Sequence, residues 1–262
     1  MLSNVNLCIE LIKLKPISSQ QDNLSKICDF VSEYIQKNCH QLPKIQKIIH
    51  KQYPSLIVGS QNLLNPSVCL YAHLDVVDAS LEQFEAKIED NWLIGRGSGD
   101  MLGAAAASIN TFIKLFNKNP NLNIGLFLPC DEEIGGSHGT KHCLESFKYN
   151  PESVLMPDSG SGLDKIVIGQ KGFIVATISC KGFSCHSSRP WEGKNPIPKL
   201  IEVFHNIQKE FPNNQNSDYH STIAPTQIHS GESVNQIPNQ AKLTLDIRTC
   251  SSKEHNNILN IL

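Results

Sequence analysis

Four short clusters hold the side chains that could do chemistry. The first is Tyr71-Ala72-His73-Leu74-Asp75, which follows an apolar run. On extended chain, residues two apart share a face, so His73 can ligate a metal while Asp75 orients it. A buried histidine bonded to a nearby aspartate is the plainer alternative. The second cluster is Gly95-Arg96-Gly97-Ser98-Gly99-Asp100-Met101-Leu102-Gly103. Its glycines allow a sharp turn and close backbone approach. Asp100 there is either a ligand or a helix N-cap. A phosphate-cradling loop is a further reading, but the glycine spacing departs from the dinucleotide fingerprint, and nucleotide binding ranks behind.

The third cluster, Asp131-Glu132-Glu133-Ile134-Gly135-Gly136, directly follows an apolar strand pattern. Three adjacent carboxylates at the end of a core strand repel one another, and a cation or a shared proton would hold them. Adjacent glutamates can then divide the work, one as ligand and one as general base. The fourth is Met156-Pro157-Asp158-Ser159-Gly160, one more carboxylate past a strand. One imidazole and several carboxylates, without a cysteine ligand, suit zinc, cobalt or manganese. A bridging carboxylate with further ligands is the pattern of two-metal sites, whose ions lie roughly 3.5–4 Å apart.

The elements that must position these clusters follow from periodicity. Residues 5–14 and 22–38 carry apolar residues at helical spacing, and Pro16 stops the first helix. Residues 44–50, 55–58, 67–72, 91–94, 123–128 and 153–156 read as strands or short apolar pieces. Residues 100–116 and 139–147 read as helices. This alternation predicts an α/β domain, a mixed sheet covered by helices, over residues 1–168. Beyond it, long strands over 165–180, a helix over 195–211, strands over 222–229 and 241–248, and a helix from Ser251 make a smaller α+β unit, βαββα, over 169–262. The Asn-rich stretch 212–217 reads as a loop. His138 and His142, spaced i and i+4 on a predicted helix, read as surface residues. Cys185, beside His186, is not read as a nucleophile, because nothing in its surroundings lowers a thiol pKa.

Bulk composition excludes several classes. A formal net charge of −2 offers no basic surface for nucleic acid or anionic membrane. No apolar run approaches a membrane span, and the N-terminus lacks the pattern of a secretory signal. Nine cysteines at irregular spacing, an odd number, argue against a disulfide framework and fit small buried hydrophobes in a reducing cytoplasm.

Taken in order, the motifs resemble those of the co-catalytic zinc peptidase and deacylase family. That family includes acetylornithine deacetylase, succinyl-diaminopimelate desuccinylase, glutamate carboxypeptidase, aminoacylase, peptidase T and carnosinase. Besides the four clusters, the match includes Lys181-Gly182 through His186-Ser187-Ser188-Arg189-Pro190, and Gly231 through Asn235 and Pro238 to Asp246-Ile247-Arg248. The resemblance implies a metal-dependent hydrolase that cleaves the amide bond of a short peptide or an N-acyl amino acid. It implies two Zn2+ ions, with Co2+ or Mn2+ as alternatives. His73 and Asp158 would bind the first ion, Asp100 would bridge, and Glu133 would bind the second. Glu132 would be the general base, and Asp75 would orient His73. His186, in a lid domain that forms a homodimer, would reach across the dimer to stabilise the tetrahedral intermediate. Asn235 and Arg248 would bind substrate, Arg248 through a carboxylate. Aspartate rather than glutamate at 158 leans toward short peptides.

The resemblance also implies a last histidine ligand and roughly a hundred further residues. The expectation is therefore a lid without its last strand and a weakened second metal site. The alternative reading is an inactive, truncated remnant that binds metal.

Overall fold

The computed structural model describes residues 3–60, 62–158, 162, 164–211 and 220–262. Ser159 and Gly160 of the fourth cluster, and the expected loop 212–217, lie outside them. The chain divides into two compact units, Met1–Lys165 and Ile166–Leu262.

The first unit is built on a five-stranded sheet of β1 (Lys44–His50), β2 (Tyr53–Gly59), β3 (Val68–Tyr71), β6 (Ile124–Pro129) and β7 (Ser153–Leu155). A small hairpin, β4 (Lys87–Glu89) with β5 (Trp92–Ile94), stands apart from it. The order is β1-β2-β6-β3-β7. β1, β2 and β6 pair antiparallel, whereas β3 runs parallel to both β6 and β7, so the sheet is mixed, as the sequence predicts. Helices α1 (Asn4–Lys13), α2 (Gln21–Asn38) and α3 (Leu102–Lys118) pack with one face of it.

The packing follows from side-chain alternation. On β6, Leu126 and Leu128 enter the large core with the three helices, while Phe127 enters a smaller cluster with Tyr71, Cys143 and Tyr149. That explains why β6 reads as an unbroken apolar run: both of its faces are buried. The short helix α4 (Thr140–Glu145) serves the second face through Cys143. At the start of the chain, the Ser3 side chain accepts the N–H of Asn6 and caps α1. Lys15 then takes a positive φ of 51° before Pro16, ending that helix.

The second unit contains β8 (Gly172–Lys181), α5 (Pro196–Gln208), β10 (Thr222–Ser230), β12 (Gln240–Thr249) and α6 (Ser252–Ile261). A two-residue ribbon of β9 (Cys185–His186) and β11 (Gln236–Ile237) is added to it. The three long strands form an antiparallel sheet in the order β10-β12-β8. Along β12, Ala241, Leu243, Leu245 and Ile247 are buried with Leu200 of α5 and Ile258 of α6. Lys242, Thr244, Asp246 and Arg248 alternate with them, on the opposite face.

One expected strand is corrected. Residues 165–171 are not strand, and Ile166 and Ile168 are 89% and 99% exposed. Their β-branched side chains favour extended backbone, but a strand needs a partner, and the pairing of β8 with β12 begins only at Gly172 opposite Thr249. The short apolar piece expected over 91–94 is β5, but β4 and the β9–β11 ribbon have no counterpart in the sequence reading. Among the described residues, no helix is long and apolar enough to cross a membrane.

Candidate metal centre

Three parallel strands end side by side, and that places the site. β3 lies between β6 and β7, with Leu70 opposite Leu126 on one side and Leu155 on the other. The chain beyond each carboxyl end therefore emerges at one edge, where open sheets of this kind hold their ligands. These segments carry His73 and Asp75, the run Asp131 to Glu133, and Asp158. Backbone bonds extend the register past β3, from Ala72 N to Phe127 O at 3.1 Å and from Leu74 N to Pro129 O at 2.9 Å.

Asp100 arrives from the glycine turn. Gly97 has φ +80°, and a Cβ there would lie 2.6 Å from Val76 Cγ1. A Cβ at Gly103 would stand 2.4 Å from the Ser98 carbonyl oxygen. These two positions require glycine, so the turn closes tightly before α3. The N-cap of α3 is Met101, and no side chain caps it. The N-cap reading of Asp100 is thereby corrected: its carboxylate faces His73.

His73 is the centre of the cluster. Its Nδ1 lies 2.9 Å from the Asp75 carbonyl oxygen, so Nδ1 keeps its proton when the ring is neutral, and Nε2 is then the nitrogen left to bind a cation. Around Nε2 stand Asp100 Oδ1 at 3.1 Å, Asp158 Oδ2 at 3.7 Å and Glu132 Oε2 at 3.8 Å. One ligand atom each from His73, Asp100 and Glu133 lie within 4.8 Å of one another.

Asp75 is completely buried and ties the histidine to the acidic turn. Its Oδ1 accepts the Glu132 N–H at 3.1 Å. Its Oδ2 accepts the Glu133 N–H at 3.1 Å and the Ser18 hydroxyl at 2.8 Å. Ser18 is a residue the sequence reading missed. A lone hydroxyl 57 positions before its partner carries no motif. Met101 was missed too; its sulfur accepts the His73 N–H at 3.3 Å.

The run of three carboxylates is split by the fold. Asp131 is fully buried, and its Oδ2 accepts the N–H groups of His138 at 2.7 Å and Gly139 at 2.8 Å. It braces the loop into α4. Only Glu132 and Glu133 join the His73 cluster, which corrects the expectation that a cation or a shared proton holds all three.

The electrostatics show a site loaded with negative charge. Burial, then the neighbouring Asp158, Asp75 and Asp100, push the Glu132 carboxyl above its usual range. Burial followed by Asp100 does the same to Glu133 and to Asp158. For His73, burial acts to lower the pKa, but bonding to Asp75 and the nearby carboxylates outweigh it, and the imidazole rises to about 9. An imidazole nitrogen, which a metal would take in its neutral form, and four carboxylates facing one space, without a thiolate, fit divalent zinc, cobalt or manganese.

The remaining site residues of the sequence reading lie in the second unit. His186 on β9 pairs with Gln236, and Ser187 N donates to Asn235 O at 2.9 Å, so the ribbon joins His186 and Asn235. Arg248 sits on the open sheet face with its fork on Asp246, Nε to Oδ1 at 2.7 Å and Nη2 to Oδ2 at 2.9 Å. Its guanidinium also lies 5.6 Å from the Phe173 ring centre.

Two further readings are revised. α4 begins only at Thr140, so His138 lies outside it. Both histidines are half-buried, His142 stacked on His50 at 4.0 Å and His138 on Tyr53 at 5.3 Å. They belong to an aromatic cluster rather than to open surface.

Comparison with known proteins follows the same lines. Residues 168–262 match the peptidase dimerisation domain of the M20 family. A succinyl-diaminopimelate desuccinylase of Pelagibacter ubique is 30% identical over 200 residues, covering 70% of this chain and 52% of the relative. The corresponding protein of Ehrlichia canis is 28% identical over 278 residues, covering 98% of this chain and 71% of the relative. The chain thus spans about half the length of the first of these relatives. An M20 family metallo-carboxypeptidase from Sulfolobus solfataricus shares the fold, with a TM-score of 0.78 at 19% identity, over 100% of this chain and 75% of that one.

Proposed function

This chain belongs to the M20 peptidase family, and from that premise we propose that its acidic centre hydrolyses an amide bond in a short peptide or an N-acylated amino acid. One observation carries the reading. His73 Nε2 and the carboxylates of Asp100, Glu132 and Asp158 meet at the ends of three parallel strands, within 3.8 Å of the imidazole. Relatives named as desuccinylases support the amide chemistry.

In this reading His73, Asp100 and Asp158 hold one Zn2+, and Asp100 and Glu133 hold a second. When bound, such ions supply Lewis-acid polarisation and a more acidic water. The chain's own groups do the rest. Asp75 keeps the proton of His73 on Nδ1 and fixes the backbone of both glutamates. Glu132 takes the proton of the attacking water and passes it to the leaving amine, a task that suits a carboxyl already held above its ordinary pKa. His186 of a second copy, reaching across the proposed dimer, donates from Nε2 to the developing oxyanion. Asn235 and Arg248 bind the substrate. Arg248 would offer a substrate carboxylate the guanidinium edge that Asp246 leaves unused.

We further propose that the second unit forms a homodimer, in keeping with its match to a dimerisation domain. The buried thiols of Cys8, Cys28, Cys69, Cys130 and Cys143 suit a reducing compartment, and the cytoplasm is the proposed location.

The decisive experiment is to strip the chain, reload it with zinc, count ions and assay dipeptides and N-acyl amino acids. Bound zinc, with turnover that Glu132→Ala abolishes, is the expected result. Zinc-dependent turnover intact in that variant sinks the mechanism. Binding without turnover favours the metal-binding remnant.

A further inference from the structure

We propose that Ser18 is a positioning residue of the metal centre, acting through Asp75 on His73, Glu132 and Glu133. The inference rests on the metal-centre reading above.

Ser18 lies in the short connection between α1 and α2, far from the acidic clusters in sequence. The fold ties this connection to the His73 segment by two backbone hydrogen bonds. Val76 N donates to Pro16 O at 2.9 Å and Ser18 N to Val76 O at 3.1 Å, which together make Ile17 and Val76 a parallel bridge. Ser18 is 5% exposed and Asp75 is fully buried, so water does not compete for their contact. The hydroxyl donates to Asp75 Oδ2 at 2.8 Å and lies at a longer 3.2 Å from Val76 O.

The contact matters because of what else the Asp75 carboxylate holds. Its two oxygens accept the N–H groups of Glu132 and Glu133, and its own backbone carbonyl orients His73. Those two amides come from adjacent residues of a single turn. The Ser18 hydroxyl is a third donor from a separate element, and it stops the carboxylate from rotating toward either glutamate. A buried acceptor stripped of one donor shifts to recover it, because low local polarity makes an unmade bond expensive. Any such shift of Asp75 moves the imidazole and both glutamates together.

The test uses the full chain and Co2+, whose visible spectrum reports ligand geometry. Ser18→Ala is expected to bind Co2+ about tenfold more weakly, the low end of the range for outer-sphere partners, with a changed spectrum. Ser18→Thr, which keeps the hydroxyl, is expected to restore both. In the metal-free chain, Ser18→Ala should also speed amide exchange at Glu132 and Glu133 beyond any global change. Wild-type affinity and spectrum in Ser18→Ala overturn the inference, whatever happens to its melting temperature. If Ser18→Ala does not fold, the isosteric pair Ser18→Thr and Ser18→Val decides. Weaker binding by the valine variant supports the role, and equal binding overturns it. A wild-type chain that binds no Co2+ sinks the metal-centre reading, and this inference with it. Equal binding by wild type and Ser18→Ala sinks the inference alone.

Discussion

Asp75 and Glu132 are joined backbone to side chain: the Glu132 N–H donates to Asp75 Oδ1 at 3.1 Å. The Glu132 carboxylate meanwhile comes within 3.8 Å of His73 Nε2. Asp75 therefore sets both the imidazole and the residue proposed as general base, and Asp75→Asn should damage both. The amide would keep one acceptor but turn a donor toward N–H groups or the Ser18 hydroxyl. A loss of about 1–3 kcal/mol in metal-free stability is expected, the usual result of leaving buried partners unmatched. Metal affinity should fall about 10- to 100-fold. Urea unfolding and zinc titration measure the two, and an unchanged zinc affinity contradicts the assigned position of Asp75.

The raised pKa of His73 makes metal binding a proton exchange. Without metal, the imidazole titrates at about 9 instead of the ordinary 6.5. The protonated ring then stabilises the metal-free fold, fully below pH 6.5, and this support disappears as pH rises through 9. A ligand must be neutral, so a cation arriving between those values displaces the proton. Calorimetry in buffers of different ionisation enthalpy should therefore show about one proton released from His73 near pH 7, and affinity rising toward pH 9. His73→Gln should remove that proton. Zinc uptake at pH 7 without proton release contradicts the assignment.

The sequence reading recovered the cluster because carboxylates and histidine just past apolar strands are visible as residue types at boundaries. It did not recover how the fold divides them. Asp131 looks identical to Glu132 and Glu133 in a run of three acids, yet its carboxylate turns back to the N–H groups of His138 and Gly139. Ser18 was out of reach, since a serine among polar loop residues has no periodicity or spacing to mark it. The strand expected over 165–171 failed for the opposite reason. Its β-branched residues announce extended backbone, but the partner that makes a strand is a tertiary fact. β4, the partner of the apolar piece over 91–94, escaped notice because all three of its residues are exposed, leaving no buried face to generate an alternation.

The glycine turn before α3 offers a matched pair of substitutions. At Gly103 a Cβ would meet the Ser98 backbone oxygen at 2.4 Å, and backbone cannot swing aside. Gly103→Ala should destabilise by about 1–3 kcal/mol, as overpacking does, and weaken zinc binding because Asp100 rides on the displaced turn. At Gly99 a Cβ meets nothing within 4 Å, so Gly99→Ala should stay within about 0.5 kcal/mol of wild type. Thermal unfolding of both variants, with and without zinc, tests this. Equal effects at the two positions contradict the close-approach account of the turn.

His186 carries a tautomer that its own loop dictates. The Ser188 N–H donates to His186 Nδ1 at 3.2 Å, and the Ser188 hydroxyl lies 2.8 Å from the same nitrogen. A nitrogen that accepts from a backbone N–H holds a lone pair, so the neutral ring keeps its proton on Nε2. That leaves Nε2–H as a donor, the form an oxyanion requires and the reverse of His73, whose neutral ring keeps its proton on Nδ1. Nitrogen-15 NMR of histidine-labelled protein at alkaline pH should show His186 as the Nε2–H tautomer. Ser188→Ala removes the hydroxyl but retains the backbone donor, so the tautomer should persist. Ser188→Pro removes the backbone donor and should loosen the preference. A His186 ring protonated on Nδ1 in the unaltered chain contradicts both the contact and the oxyanion role built on it.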